Sequence, residues 1–186
     1  MVSLTSLWLP ILLSAAVVFM ASSFIHMALK YHSADFKALP DEDGVMSALR
    51  NFGLPAGDYA APRATDMKEM SSEAHQEKLR KGPAFFMTVI PPEAAGSMGR
   101  ALVMWFLFTA VVSVFAGYLA GRTLTAGTDY LMVFRITGTV AFAAYGVGGW
   151  QRAVWFHQPL GTTLRNTFDG LIYALLTAGV FGWLWP

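Results

Sequence analysis

The 186-residue chain contains no cysteine. That excludes disulfides, thiolate zinc sites, cysteine-ligated iron–sulfur clusters and a cysteine nucleophile. Charge is also scarce, at 13% of residues, where a soluble domain carries about 25%. No lysine or arginine precedes Lys30, so the amino terminus lacks the positive stretch of a secretory signal. Net charge is +1, which gives no warrant for nucleic-acid binding. The usual short motifs are missing too. Gly146-Val147-Gly148-Gly149 has no following Lys-Ser/Thr, so it is not a phosphate loop. There is no serine-centred nucleophile elbow and no HExxH zinc motif.

What is present is hydrophobic, at 55% of residues, and the few charges are segregated. Nine of the 13 lysines and arginines lie between Lys30 and Arg100, and ten of the 12 acids between Asp35 and Glu93. The flanks are therefore almost uncharged, which is the signature of segments that sit in hydrocarbon. A spanning helix needs roughly 20 mostly apolar residues. Four stretches approach or meet that length: 7–29, 101–121, 130–150 and 168–185. The first is longer than a signal-peptide core and is read as a retained helix. A soluble bundle would show polar stripes on its helices, and 101–121 shows none. Tryptophans 8, 105, 150, 183 and 185 lie near the ends of these stretches, where the headgroup level suits them. The expected fold is all-α membrane, with one spanning helix in 1–29, a water-exposed segment over 30–100 and three more spans in 101–186.

The polar segment has structure of its own. Pro40-Asp41-Glu42-Asp43 opens a helix whose apolar positions are Val45, Met46, Leu49 and Phe52, and Gly53 stops it. A second helix is predicted over Ser72–Lys81, stopped by Gly82-Pro83. Ala84–Ile90 reads as a strand, with Asp58–Ala61 as its partner. The result is a small α+β cap of about 50 residues, below the size that usually folds alone. It is expected to rest on the bilayer surface, the spans or a partner. The apolar run Phe85–Ile90 argues against disorder.

Small residues recur every fourth position in two spans: Ser113, Gly117 and Gly121, and Gly170, Ala174, Ala178 and Gly182. Each row makes a shallow groove for a neighbouring backbone, within the chain or in another protein. Basic residues are asymmetric. Arg122 and Arg135 lie on one membrane side; Lys30, Lys37, Arg100, Arg152 and Arg165 lie near the spans on the other. The positive side is normally cytoplasmic, which puts the cap and the loop 151–167 inside and both termini outside.

Ionisable groups at or within spans are costly and point to function. Arg135 sits near a membrane end and can snorkel. Asp169 stands at the entry of the last span with Arg165 one turn earlier, so the two are expected to pair along the helix. Topology gathers His26, Arg100, Arg152, Arg165 and Asp169 at one depth. A basic rim around one carboxylate suits an anionic lipid headgroup, a quinone or a phosphorylated ligand; positive-inside anchoring with a local ion pair explains the same residues. In the ligand reading Asp169 is the acid–base or polar contact, His26 a proton donor or hydrogen-bond partner, and Arg100, Arg152 and Arg165 hold the anion. His26 and His32 are six apart, not the one-turn spacing that shares a helix face, so neither metal nor haem is expected. No cofactor is required, although the rim suits a bound phospholipid or quinone.

The runs Ser23-Phe24-Ile25-His26-Met27, Leu39-Pro40-Asp41-Glu42-Asp43, Phe168-Asp169-Gly170-Leu171-Ile172-Tyr173 and Phe181-Gly182-Trp183-Leu184-Trp185-Pro186 resemble those of a group of small bacterial inner-membrane proteins with four spans and no assigned function. The resemblance implies a location in the bacterial cytoplasmic membrane and no particular activity. With no catalytic constellation, the first expectation is a non-enzymatic accessory or assembly subunit, packing through the Gly170–Gly182 groove onto another membrane protein or a second copy. The second is the ligand site at the basic face, enzymatic or not. A channel or transporter would need an oligomer to enclose a pathway, and the spans lack the central charges of a proton-coupled one.

Overall fold

The computed structural model describes residues Met1–Pro186 and divides into two compact units, Met1–Lys37 with Met98–Pro186, and Ala38–Ser97. The larger unit is helical. A 3-10 turn at Leu4–Leu7 leads into α1 (Trp8–Ala28). Pro10 sits in its first turn, where its missing N–H costs no helical hydrogen bond. The helix ends because Leu29 is extended, at ψ 120°, and the chain then curls into a 3-10 turn over Lys30–Ala34.

The smaller unit matches the expected order of elements. α2 (Glu42–Asn51) is capped by the Asp41 side chain, which accepts from the Gly44 N–H, and its first turn carries Glu42 and Asp43 at the positive end of the helix dipole. Gly53 follows at φ 58°, where a glycine is free of the Cβ penalty. β1 (Gly57–Ala61) pairs antiparallel with β2 (Phe85–Val89), Gly57 opposite Val89 and Ala61 opposite Phe85. Between them lie a single turn, α3 (Met67–Met70), and α4 (Glu73–Lys81), capped by Ser72 and ended at Gly82. A further turn, α5 (Pro92–Ala95), closes the unit.

The rest of the larger unit is α6 (Met98–Thr123), α7 (Tyr130–Phe142), a π-helical segment at Ala143–Val147, α8 (Trp150–Phe156) and α9 (Leu160–Trp183). Three helical stretches are long and apolar enough to cross a membrane: Leu4–Ala28, Met98–Thr123 and Tyr130–Phe156. Only 33%, 28% and 22% of their most apolar windows are buried inside the protein. Helices so apolar and so uncovered suit hydrocarbon better than water. α9 is 24 residues long but does not join these three, because its first half carries Arg165, Asn166, Asp169 and three threonines. The expected loop over 151–167 is also corrected. Only His157–Pro159 is non-helical there, since α9 starts directly after Pro159 and its polar first turns are helical rather than loop.

α9 lies against α1, α7 and the π segment. Leu7, Ile11, Ala116, Ala120, Leu124, Val133 and Phe181 form one buried cluster. Both small-residue rows are filled from within the chain. A Cβ on Gly117 would meet the Phe181 ring at 3.1 Å, and one on Gly121 the Val2 carbonyl oxygen at 2.6 Å. Ser113 accepts from the Ser14 hydroxyl at 2.9 Å. Along α9, Gly170 abuts the Gly146 backbone, Ala174 and Ala178 face Gly138, and Gly182 faces the Tyr130 ring. Thr137 and Thr177 donate to the carbonyls of Val133 and Tyr173 one turn back, so these fully buried hydroxyls carry no unmet donor.

Candidate functional site

The break at Leu29 builds the site. Had α1 continued, His26 and His32 would point about 120° apart around its axis, on different faces. The 3-10 turn instead folds Tyr31 and His32 back toward α9, so that the two imidazole rings lie 4.5 Å apart. The six-residue spacing that separated the two histidines thus does not keep them apart, because the helix does not continue past Leu29.

At the centre is Asp169, whose side chain is 4% exposed. The Tyr31 hydroxyl donates to Asp169 Oδ1. His32 Nε2 lies 2.7 Å from Oδ2, and His26 Nε2 4.0 Å from the same oxygen. No lysine or arginine pairs with this carboxylate. Arg165, one turn earlier on α9, turns away from it. Its Nε donates to Asp35 Oδ1 at 2.8 Å, its terminal nitrogen donates to the same oxygen, and it also reaches Thr162 Oγ1 at 3.3 Å. The expected Arg165–Asp169 pair is thus replaced by a pair with Asp35, a residue the spacing along α9 cannot reveal. Asp35 Oδ2 in turn lies 2.6 Å from His32 Nδ1.

The electrostatics follow from these contacts. Burial alone would raise the Asp35 carboxyl, but hydrogen bonds from His32 and Arg165 outweigh it and hold the group below its ordinary range. Burial pushes the Tyr31 phenol well above its ordinary value, and its hydrogen bond to the Asp169 carboxylate adds to the shift. Tyr31 is therefore a fixed donor. His32 is the unusual member. A neutral imidazole has one N–H, yet both its nitrogens sit within 2.7 Å of a carboxylate oxygen. One of the two contacts sets a lone pair against a lone pair unless a positive charge, a proton or a metal ion, lies in it.

Beneath Asp169 the site is lined by aromatic rings. Tyr173, the next turn of α9, lies edge-on to Trp105 at 6.1 Å and to Tyr145 at 5.7 Å. Trp105 Nε1 donates to Ser22 Oγ at 2.7 Å. The buried Tyr173 hydroxyl has no hydrogen-bond partner.

Of the residues singled out from sequence, His26, Arg165 and Asp169 meet here. Arg100 and Arg152 do not: both are exposed and form no ion pair. Tyr31 and Asp35 escaped the sequence reading altogether. The available signal was Asp35 at the third position after His32, which a 3-10 turn places alongside it. Comparison with protein-family models, with curated proteins and with solved structures gives no match to this chain.

Proposed function

We propose that this protein is a four-span protein of the bacterial inner membrane that works through a ligand-binding site at the membrane boundary, centred on Asp169. One observation carries the site: a nearly inaccessible carboxylate whose partners are a phenol and two imidazoles, with no permanent cation. Such a group is expensive at a membrane face unless it takes up positive charge. The ligand that fits is therefore cationic or proton-donating. An anionic ligand fits less well, because Arg165 is spent on Asp35 and the other two arginines lie outside the network.

The course of α9 supports the fourth span. It has its second turn, at Arg165, beside Asp35, at the end of the bundle where α1 terminates. It finishes where Gly127 N–H donates to the Pro186 carbonyl and Trp185 donates to the Thr125 carbonyl, at the α6–α7 turn. The asymmetry of basic residues supports a cytoplasmic cap. The Gly170–Gly182 row packs against α7 and the π segment, which favours the ligand site over an accessory subunit docking through that row.

Native mass spectrometry from mild detergent or nanodiscs tests the site. Wild type should retain a bound species other than bulk lipid, and Asp169→Asn, which keeps the shape and removes the charge, should lose it. A wild type with nothing bound, or a variant that binds equally, defeats the proposal.

A further inference from the structure

The donor set around Asp169 has a more specific chemistry. We propose that His26 Nε2, His32 Nε2 and Asp169 Oδ2 bind one divalent transition-metal ion. The inference rests on the ligand-site reading above and names the class of its ligand.

Three observations converge. The first is the donor set. The three ligand atoms lie within 4.8 Å of one another. Two donors each about 2.0–2.1 Å from a tetrahedral ion stand ~3.3 Å apart. The present His32–Asp169 and His26–Asp169 separations, 2.7 and 4.0 Å, bracket that value, so both pairs stand within an ångström of it. Two imidazoles and a carboxylate select zinc, iron, cobalt, manganese or nickel over magnesium and calcium, which prefer all-oxygen sites.

The second observation is the support behind the donors. His32 offers Nε2 while its Nδ1 faces Asp35 at 2.6 Å, and Arg165 holds Asp35. A carboxylate on the far nitrogen of a histidine is the usual device that fixes the tautomer and orientation of a metal-binding imidazole. Tyr31 plays the matching part for Asp169: by occupying Oδ1 it leaves Oδ2 as the single donor oxygen.

The third is the unresolved contact. With His32 Nδ1–H donated to Asp35, the Nε2 lone pair faces a carboxylate oxygen at 2.7 Å, and a metal ion is what two acceptors can share. The competing account is an imidazolium donating to both acids. That account gives His26 no part, although its Nε2 lies 4.0 Å from the same oxygen. Three protein donors leave one coordination position open, as in catalytic rather than structural sites. The His26 side chain, 51% exposed, marks the side from which an ion enters.

The test uses the full chain in detergent, stripped with a chelator and titrated with Co²⁺. Visible absorption and elemental analysis read coordination and stoichiometry. Wild type should take up about one ion per chain, with the bands of a low-coordinate site. Asp169→Asn should abolish binding and His26→Ala should weaken it at least tenfold. Asp35→Asn should weaken it about 10–100-fold, acting through His32, and His75→Ala, in the smaller unit, should leave it unchanged. His26 is exposed enough to be replaced without loss of packing, and circular dichroism checks each variant. A wild type that takes up neither Co²⁺ nor Zn²⁺ overturns the metal assignment, as does uptake unaltered in His26→Ala and Asp169→Asn. If metal uptake fails while an organic species is retained by wild type and lost in Asp169→Asn, the binding site stands and the metal falls. If neither is bound, both fall.

Discussion

Gly170 shows how tightly single residues constrain this bundle. A Cβ there would lie 2.6 Å from both the Cα and the N of Gly146. Those are backbone atoms and cannot swing aside, so α9 and the π segment would have to separate. Gly170→Ala is expected to cost about 1–3 kcal/mol, the range for overpacking a filled interior. A lowered midpoint in thermal unfolding from detergent would show it. At Gly182 the obstacle is the Tyr130 ring at 2.6 Å, a side chain that can tilt, so the same change there should cost less. Gly99, with nothing within 4 Å of an added Cβ, is the control and should tolerate alanine. Equal behaviour at Gly170 and Gly99 would mean that the close approach does not exist in the folded protein. The row was legible in the sequence as four-residue spacing of small residues. What filled it was not, because spacing along one helix carries no information about the facing surface.

At the level of elements, the sequence spoke clearly where one local rule decides the outcome. Apolar length marked α1 and α6, and the acidic opening at Asp41–Asp43 with the stops Gly53 and Gly82 bounded the helices of the smaller unit, whereas the capping roles of Asp41 and Ser72 came only with the structure. It misled where local and tertiary preferences compete. Gly161, Thr162 and Thr163 read as loop, yet they form the first turn of α9, and Thr163 is buried. The extended conformation at Leu29 left no mark in composition, and with it went the position of His32. The ion pair between Asp35 and Arg165 ties the turn after α1 to α9 and is the element-scale consequence. Asp35 is 9% exposed, so removing its cation leaves a charge with little access to water. Arg165→Met should destabilise by about 1–3 kcal/mol, in the range for leaving a largely covered charged group without one of its hydrogen-bond partners. Arg152→Met, on an exposed side chain without a partner, should stay within about 0.5 kcal/mol. Unfolding midpoints of the two variants side by side measure the difference. If Arg165→Met is as mild as Arg152→Met, the turn is not held by that pair.

For the molecule as a whole, the proposed arrangement with respect to the membrane rests on the two ends of the helical unit. At one end, Val2 N–H donates to the Gly121 carbonyl and Gly127 N–H to Pro186, which groups both ends of the chain with the α6–α7 turn. At the other, Asp35, Arg165 and the two histidines assemble, and the chain leaves for the smaller unit at Lys37. Arg122 is the only lysine or arginine between Arg100 and Arg135, so the excess of positive charge belongs to the end that carries the site, and that end should face the cytoplasm. The lack of cysteine makes the test clean, since any introduced thiol is the sole target of a membrane-impermeant maleimide. Ala126→Cys and Pro186→Cys should label in intact cells, and Ser47→Cys and Gln158→Cys only after lysis. Labelling of Ser47→Cys in intact cells would reverse the orientation and put the Asp169 site on the outer face. Labelling of Ala126→Cys and Pro186→Cys from opposite sides would show that α9 does not cross. The polar first half of α9 makes this the decisive pair, because a crossing by α9 requires Thr163, Asp169 and Gly170 to stay buried within the bundle.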